Sequence, residues 1–208
     1  IWILVPISLS ALIGTYVAKN VQMTSMPQMV SIFNGLGGLS AVLLSFIELY
    51  KVSSTNTDTF FSYHITLIMS LFIGSVAFTG SMLAFAKLDG YRWSEKLSLP
   101  YQHIINIVLL VTIIIFSYLY FINLLDFNYI LFILIISLVY GIFFVAPIGG
   151  ADMPVVISLL NSYSGIAAAM TGFVLVQSNP SAGNALIICG SLVGASGMIL
   201  TQIMCKGM

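Results

Sequence analysis

Residues 103–146 read HIINIVLLVTIIIFSYLYFINLLDFNYILFILIISLVYGIFFVA, and the only formal charge in that run is Asp126. Interrupted once, at Asp126–Asn128, the run is two apolar segments of the length that an α-helix needs to cross the hydrocarbon of a bilayer, about 20 residues. Helices satisfy their backbone polar groups internally, which lipid requires of any open-ended spanning segment. The rest of the chain is built the same way. Of its 208 residues 60% are apolar and 6% charged, against about 25% charged in ordinary soluble domains, so the solvent for this exterior is lipid. Polar or turn-forming clusters at Lys19–Pro27, Lys51–Thr59, Lys87–Tyr101, Pro147–Pro154 and Gln177–Asn184 supply the other breaks. They leave spans near 1–18, 27–50, 60–86, 103–125, 127–146, 153–176 and 185–205. The expected fold class is all-α: one polytopic transmembrane helix bundle over 1–208 with about seven spans.

Ile1 opens inside a span, with neither an initiator Met nor the layout of a secretory signal, so the sequence reads as a segment of a longer chain. Cys189 and Cys205 both fall in the last span, where a thiol reads as a small packing residue and not as a disulfide or metal partner. Seven alternating spans put Lys19, Lys87, Arg92, Lys96 and Lys206 on one face and Lys51 on the other. The positive-inside tendency makes the first face cytoplasmic, or the matrix side in a mitochondrion, and the C-terminus with it.

The sequence also repeats itself. Met26-Pro27 followed by Ser31, Asn34 and Gly38 recurs at Met153-Pro154, Ser158, Asn161 and Gly165, each pair 127 residues apart. A fainter echo, Gly74-Ser75-Val76 against Gly190-Ser191-Leu192 and Met82 against Met198, has an offset of 116; coincidence and duplication account for it equally well. If it is duplication, spans two and three match spans six and seven as a parallel repeat, since four helices separate the copies. Ser25 and Asp152 stand just before the two Met-Pro pairs, where a side-chain oxygen can cap a helix whose first turn tolerates Pro. Both helices are then expected to begin at the inner face.

Each Asn lies seven residues past its Pro, about 10 Å along its helix and within the hydrocarbon. Ser31 and Ser158, at i−3, share the respective helix faces. An interhelical hydrogen bond is the reading that spacing favours; a water-lined proton path is the other. His64 is the one imidazole within an apolar span, near the outer end of span three, where it is either satisfied by solvent or an amide or reachable by a proton. His103 follows Leu99-Pro100 at the inner mouth of span four. Small residues at helical spacing, Ser70, Gly74, Ala77 and Ser81, Gly165, Ala168 and Gly172, and Gly190, Gly194 and Gly197, mark close helix approaches. Asp152, if not only a cap, is a carboxylate placed to contact an inner-side domain. No phosphate loop, Ser-His-Asp order, metal-ligand spacing or basic run occurs, so neither covalent chemistry, a metal nor a nucleic-acid partner is expected within this segment.

The stretch Gly149-Gly150-Ala151-Asp152-Met153-Pro154-Val155-Val156, continuing through Leu160-Asn161-Ser162-Tyr163-Ser164-Gly165, resembles the signature of the proton-translocating NAD(P) transhydrogenase beta subunit. Supporting blocks are Met26-Pro27-Gln28, Phe78-Thr79-Gly80-Ser81 leading to Ala84-Phe85 and Lys87-Leu88, Leu99-Pro100 with His103, and Met204-Cys205-Lys206. The resemblance implies a membrane domain that couples inward proton flow to hydride transfer from NADH to NADP⁺. It would lack its first two helices, be followed after Met208 by an NADP(H)-binding domain, and pair with an alpha subunit carrying the NAD(H) site and further helices. The whole enzyme would be a dimer in a bacterial or mitochondrial inner membrane, and this segment would bind no cofactor itself. By the same resemblance Asn161 lines the proton path, with Asn34, Ser158 and His64 as further candidates, and Asp152 belongs to the loop that senses the nucleotide-binding domain. Many members carry a His where this chain has Asn34, and an amide does not titrate. Composition and the repeat equally fit a stand-alone carrier or channel for a small solute.

Overall fold

The computed structural model describes residues 4–55, 61–95, 97, 101–122 and 127–207. Among these, every regular element is helical: α1 (Leu4–Asn20), α2 (Met26–Thr55), α3 (Phe61–Leu88), the short α4 (Arg92–Glu95), α5 (Gln102–Ile122), α6 (Phe127–Val145), α7 (Met153–Leu175) and α8 (Pro180–Gly207). The all-α bundle with about seven long helices is therefore what the sequence folds into. Lys96, Leu99-Pro100 and Asp126 lie outside the described residues.

Two helices outrun their expected spans, for local reasons. Lys51 does not end α2; its ammonium pairs with Glu48 one turn back at 2.7 Å, so the charge is carried on a continuing helix. The cluster expected to separate the last two spans up to Asn184 is in fact the start of α8. Asn179 Oδ1 accepts the Ala182 N–H at 3.3 Å, and Pro180, whose missing N–H is no loss in a first turn, is the first helical residue.

The capping expected of Asp152 does not occur. A single 3-10 turn precedes each Met-Pro helix, Met23–Ser25 before α2 and Gly150–Asp152 before α7. That turn holds Asp152 at φ −90°, ψ −1°, a helical conformation without a side-chain cap bond. A capping side chain needs the extended backbone instead.

The centre of the bundle is α3, packed against α2, α6 and α7, with α8 on the far side of α7 and α5 outside α6. Toward the end where α2 stops and α3 begins, Leu49, Leu67, Leu71, Ile113, Tyr120, Ile130 and Ile133 form one buried cluster. Toward the other end Leu83, Ala84, Val145, Met153, Val156 and Leu160 form a second. No residue of α1 is buried. Cys189 and Cys205 are free and exposed.

Where lipid is as apolar as the side chains, helices associate through close packing and hydrogen bonds and not through a hydrophobic difference. Two of the close backbone approaches between helices follow the repeat. A Cβ on Gly38 would meet Gly74 O and Phe78 N at 2.9 Å; one on Gly165 would meet Gly190 O at 2.9 Å and Gly194 N at 2.7 Å. Ala77 lies beside Gly38 and Val193 beside Gly165, each at 3.1 Å, two positions with the offset of the echo. The Ser31 hydroxyl donates to Ser81 O at 2.7 Å and the Ser158 hydroxyl to Gly197 O at 3.4 Å, acceptors with the same offset. The faint 116-residue echo is thus structural: α2–α3 and α7–α8 are one helix pair used twice, crossing at matched glycines.

Lys87, at the end of α3, bonds the α6–α7 connection, so α2 and α7 start on the face where α3 and α6 end. Lys51 and Lys206 then lie at opposite faces. Cysteines placed at 51 and 206 should react with an impermeant maleimide from opposite sides of a sealed vesicle; labelling of both from one side would overturn the alternation.

Candidate functional site

Three helices meet at one amide. Asn34 of α2 is buried, 8% exposed; its Nδ2 donates to Ser81 Oγ of α3 at 2.8 Å, and its Oδ1 accepts from Ser164 Oγ of α7 at 2.6 Å. Ser31, one turn earlier on α2, donates to the carbonyl of the same Ser81. The sequence puts Asn34 here because Gly35 and Gly38 let α2 close on α3: a Cβ on Gly35 would meet Met82 Cε at 2.8 Å. The interhelical bond that spacing favours is therefore present at Asn34, and it joins three helices where sequence reasoning had two. The partners Ser81 and Ser164 were visible only as members of a small-residue stripe and of the long signature. Spacing places residues on one helix face without saying which neighbour that face meets.

Asn161 stands at the matching position of α7 and behaves differently. It is exposed, and among the described residues its side chain makes no hydrogen bond; only its backbone carbonyl is used, lying 2.8 Å from Ser164 Oγ. The repeat explains the difference. The residue equivalent to Ser81 is Gly197, which has no hydroxyl to accept the Asn161 amide. Ser158 keeps its half of the pattern through the Gly197 carbonyl. The two amides are at equal depth, yet one is closed within the chain and the other faces out of it.

A second polar rung crosses α3 and α7 farther along. Ser70 Oγ lies 2.8 Å from Thr171 Oγ1 and 3.1 Å from Ala167 O, with both hydroxyls buried. His64 is not brought to the Asn34 node. Seventeen residues separate it from Ser81, about 25 Å along α3, and it is buried at 2% exposure with Nδ1 3.1 Å from Tyr120 Oη. Its described neighbours are rings, Tyr63, Tyr120 and Phe121. A phenol is thus one partner of this imidazole. Asp152 is exposed in the turn before α7, 12 residues from Ser164 on the same helix line. His103 is exposed near the start of α5.

No group in this arrangement is a nucleophile or a metal site; among the described residues no three metal-binding side chains cluster. What the node can do chemically is hold a directed line of donors and acceptors between helices. Such a line orders water or passes a proton without any member changing charge.

Compared with known proteins, the chain matches over residues 1–208 the family described as NAD(P) transhydrogenase beta subunit. Two curated proteins named NAD(P) transhydrogenase subunit beta, from Rhodospirillum rubrum and from a strain of that species, are each 40% identical to it over 211 residues. The match takes in 100% of this chain and 44% of each relative, so the chain spans less than half the length of the proteins it resembles.

Proposed function

Because the chain belongs to the NAD(P) transhydrogenase beta-subunit family, we propose that it is the membrane part of a proton-translocating transhydrogenase. In this reading inward proton flow is coupled to hydride transfer from NADH to NADP⁺ on attached soluble domains. The observation that carries the proposal is the three-helix node at Asn34, with the unpartnered Asn161 one turn from it on α7. An amide facing lipid is costly, so an exposed Asn161 in a spanning helix calls for water or a partner helix. We assign the proton path to Asn161, Asn34, Ser81, Ser164 and Ser158, and its outer approach to His64 with Tyr120. Since Asn34 stands in for a titratable His, the node orders a water chain and is not itself the proton-binding group.

We place neither NAD(H) nor NADP(H) on this chain's own residues. One cavity of about 460 Å³ is apolar, lined by Phe78, Met82, Leu83, Phe85 and Ile142 among others, and presents no charged side chain to a pyrophosphate. The nucleotides belong, on this reading, to an NADP(H)-binding domain following residue 208 and to an alpha subunit that also supplies helices. The basic helix ends face the cytoplasm or matrix.

The test is the complete enzyme in inside-out vesicles: an imposed proton gradient should accelerate reduction of NADP⁺ by NADH, and an uncoupler should remove the acceleration. Hydride transfer indifferent to the gradient would overturn the reading in favour of a carrier. Asp152→Asn refines it. The carboxylate caps nothing, so its loss should leave stability within about 0.5 kcal/mol, the range of ordinary surface substitutions. Proton-linked turnover should fall about tenfold, or 1.4 kcal/mol in the coupled step. Undiminished turnover would remove Asp152 from the coupling surface.

A further inference from the structure

Lys87 is half-buried in the last turn of α3, and three carbonyls converge on its ammonium: Val145 O at 3.3 Å, Ala146 O at 2.5 Å and Ile148 O at 2.7 Å. They stand at the C-terminus of α6 and in the turn after it, where carbonyls run out of i+4 donors; of the three, Val145 O also accepts the Ile148 N–H at 3.1 Å. A cation at a helix C-terminus is favoured there by the dipole as well. The same connection continues through Gly149 into the turn Gly150–Asp152 and then Met153, which is fully buried against Leu83 and Ala84 of α3. Charge at Lys87 and packing at Met153 therefore fix the two ends of the segment that presents Asp152. Ser81 lies six residues from Lys87 on one unbroken helix, about 9 Å away.

We infer that Lys87 is a positioning residue, a latch that ties the Asp152 loop to the helix carrying Ser81, so that displacement of the loop reaches the Asn34 node. A plain end-cap for α6 would need the charge only for stability. The latch needs it for transmission, because one and a half turns of α3 form a rigid link while an untied loop would move alone. The geometry stands by itself; the transmitted signal rests on the proton-coupling function proposed above.

The experiment uses the complete enzyme in membrane vesicles, with Ala151→Cys as a reporter in the exposed turn and Lys87→Met and Lys87→Arg as variants. Lys87→Met should raise the rate at which an impermeant maleimide modifies position 151 about fivefold or more, as expected when a held segment opens locally. It should also lower the ratio of gradient-driven to gradient-independent hydride transfer about tenfold. Lys87→Arg, which keeps charge and several donors, should hold both readouts within about twofold. Lys87→Gln replaces Lys87→Met if the latter does not accumulate. Unchanged labelling in the neutral variant overturns the latch, and faster labelling with an unchanged ratio overturns its part in transmission. If the unmodified enzyme shows no gradient dependence at all, the functional reading fails instead, and the labelling alone still decides the latch.

Discussion

Asn161→Leu is expected to abolish gradient-driven hydride transfer while leaving the protein as stable as before, and Asn34→Leu is expected to damage both. The asymmetry follows from the hydrogen bonds. Asn161 gives up none within the chain, so thermal unfolding in detergent should shift by less than about 0.5 kcal/mol. Asn34 gives up two interhelical bonds, each worth about 0.6 kcal/mol and at most about 1.7, so about 1–2 kcal/mol should be lost. Vesicle assays then report coupling per folded molecule, with a drop of about a hundredfold, or 2.7 kcal/mol, for Asn161→Leu if its amide lines the path. Equal stability losses in the two variants would contradict the exposed position of Asn161, and full coupling in Asn161→Leu would move the path elsewhere. Asn34→His adds a titratable ring at the node; the pH profile of proton-linked turnover should then bend near the imidazole range, about 6.5.

Gly190→Val is the substitution expected to cost most in stability. A Cβ at Gly190 would come within 2.6 Å of both Ala169 N and Gly165 O. These are backbone atoms inside α7 that cannot turn aside as a side-chain tip can. The helices would have to separate along the whole seam, which also carries Ser162 Oγ to Gly194 O at 2.5 Å and the Ser158 bond. A loss of about 3 kcal/mol or more is expected, at the upper end of overpacking effects. Gly37 is the control, having nothing within 4 Å of a new Cβ, so Gly37→Ala should gain up to about 1 kcal/mol of helix propensity. Comparable unfolding midpoints for the two variants would show that the close crossing is not required.

Much of this architecture is legible in the sequence, and the gaps have one cause. Apolar length locates the spans and the Met-Pro repeat the two matched helix starts, while the 116-residue echo that pairs each with its neighbour fits coincidence as well as duplication until the contacts are known. What failed were readings that needed a direction. In a soluble helix the polar face points to water, so the pattern itself orients the helix; here both faces are apolar and the orienting signal is gone. Hence Asn34 and Asn161, identical in spacing, are told apart only by the structure, where Asn34 bonds Ser81 and Ser164 and Asn161 is exposed. Asn179-Pro180 was read as a break because the same residues serve turns and helix starts, and only the Ala182 bond decides between them. Asp152 fits a capping position by sequence, but its backbone in the turn is helical and its side chain makes no cap bond.

The two matched helix pairs give the bundle two amides under different constraint. A solitary helix pair with one such Asn must either seal it against its own neighbour or leave it accessible, and a change that favours one demand is lost to the other. With two copies, a serine bonded to Asn34 serves cohesion, while the glycine at the matching position, 197, offers the second amide no hydroxyl. Substitutions at position 197 are then filtered by how closely α7 and α8 approach, and those at position 81 by bonding, so the two halves of an originally equal pair are free to diverge along different lines.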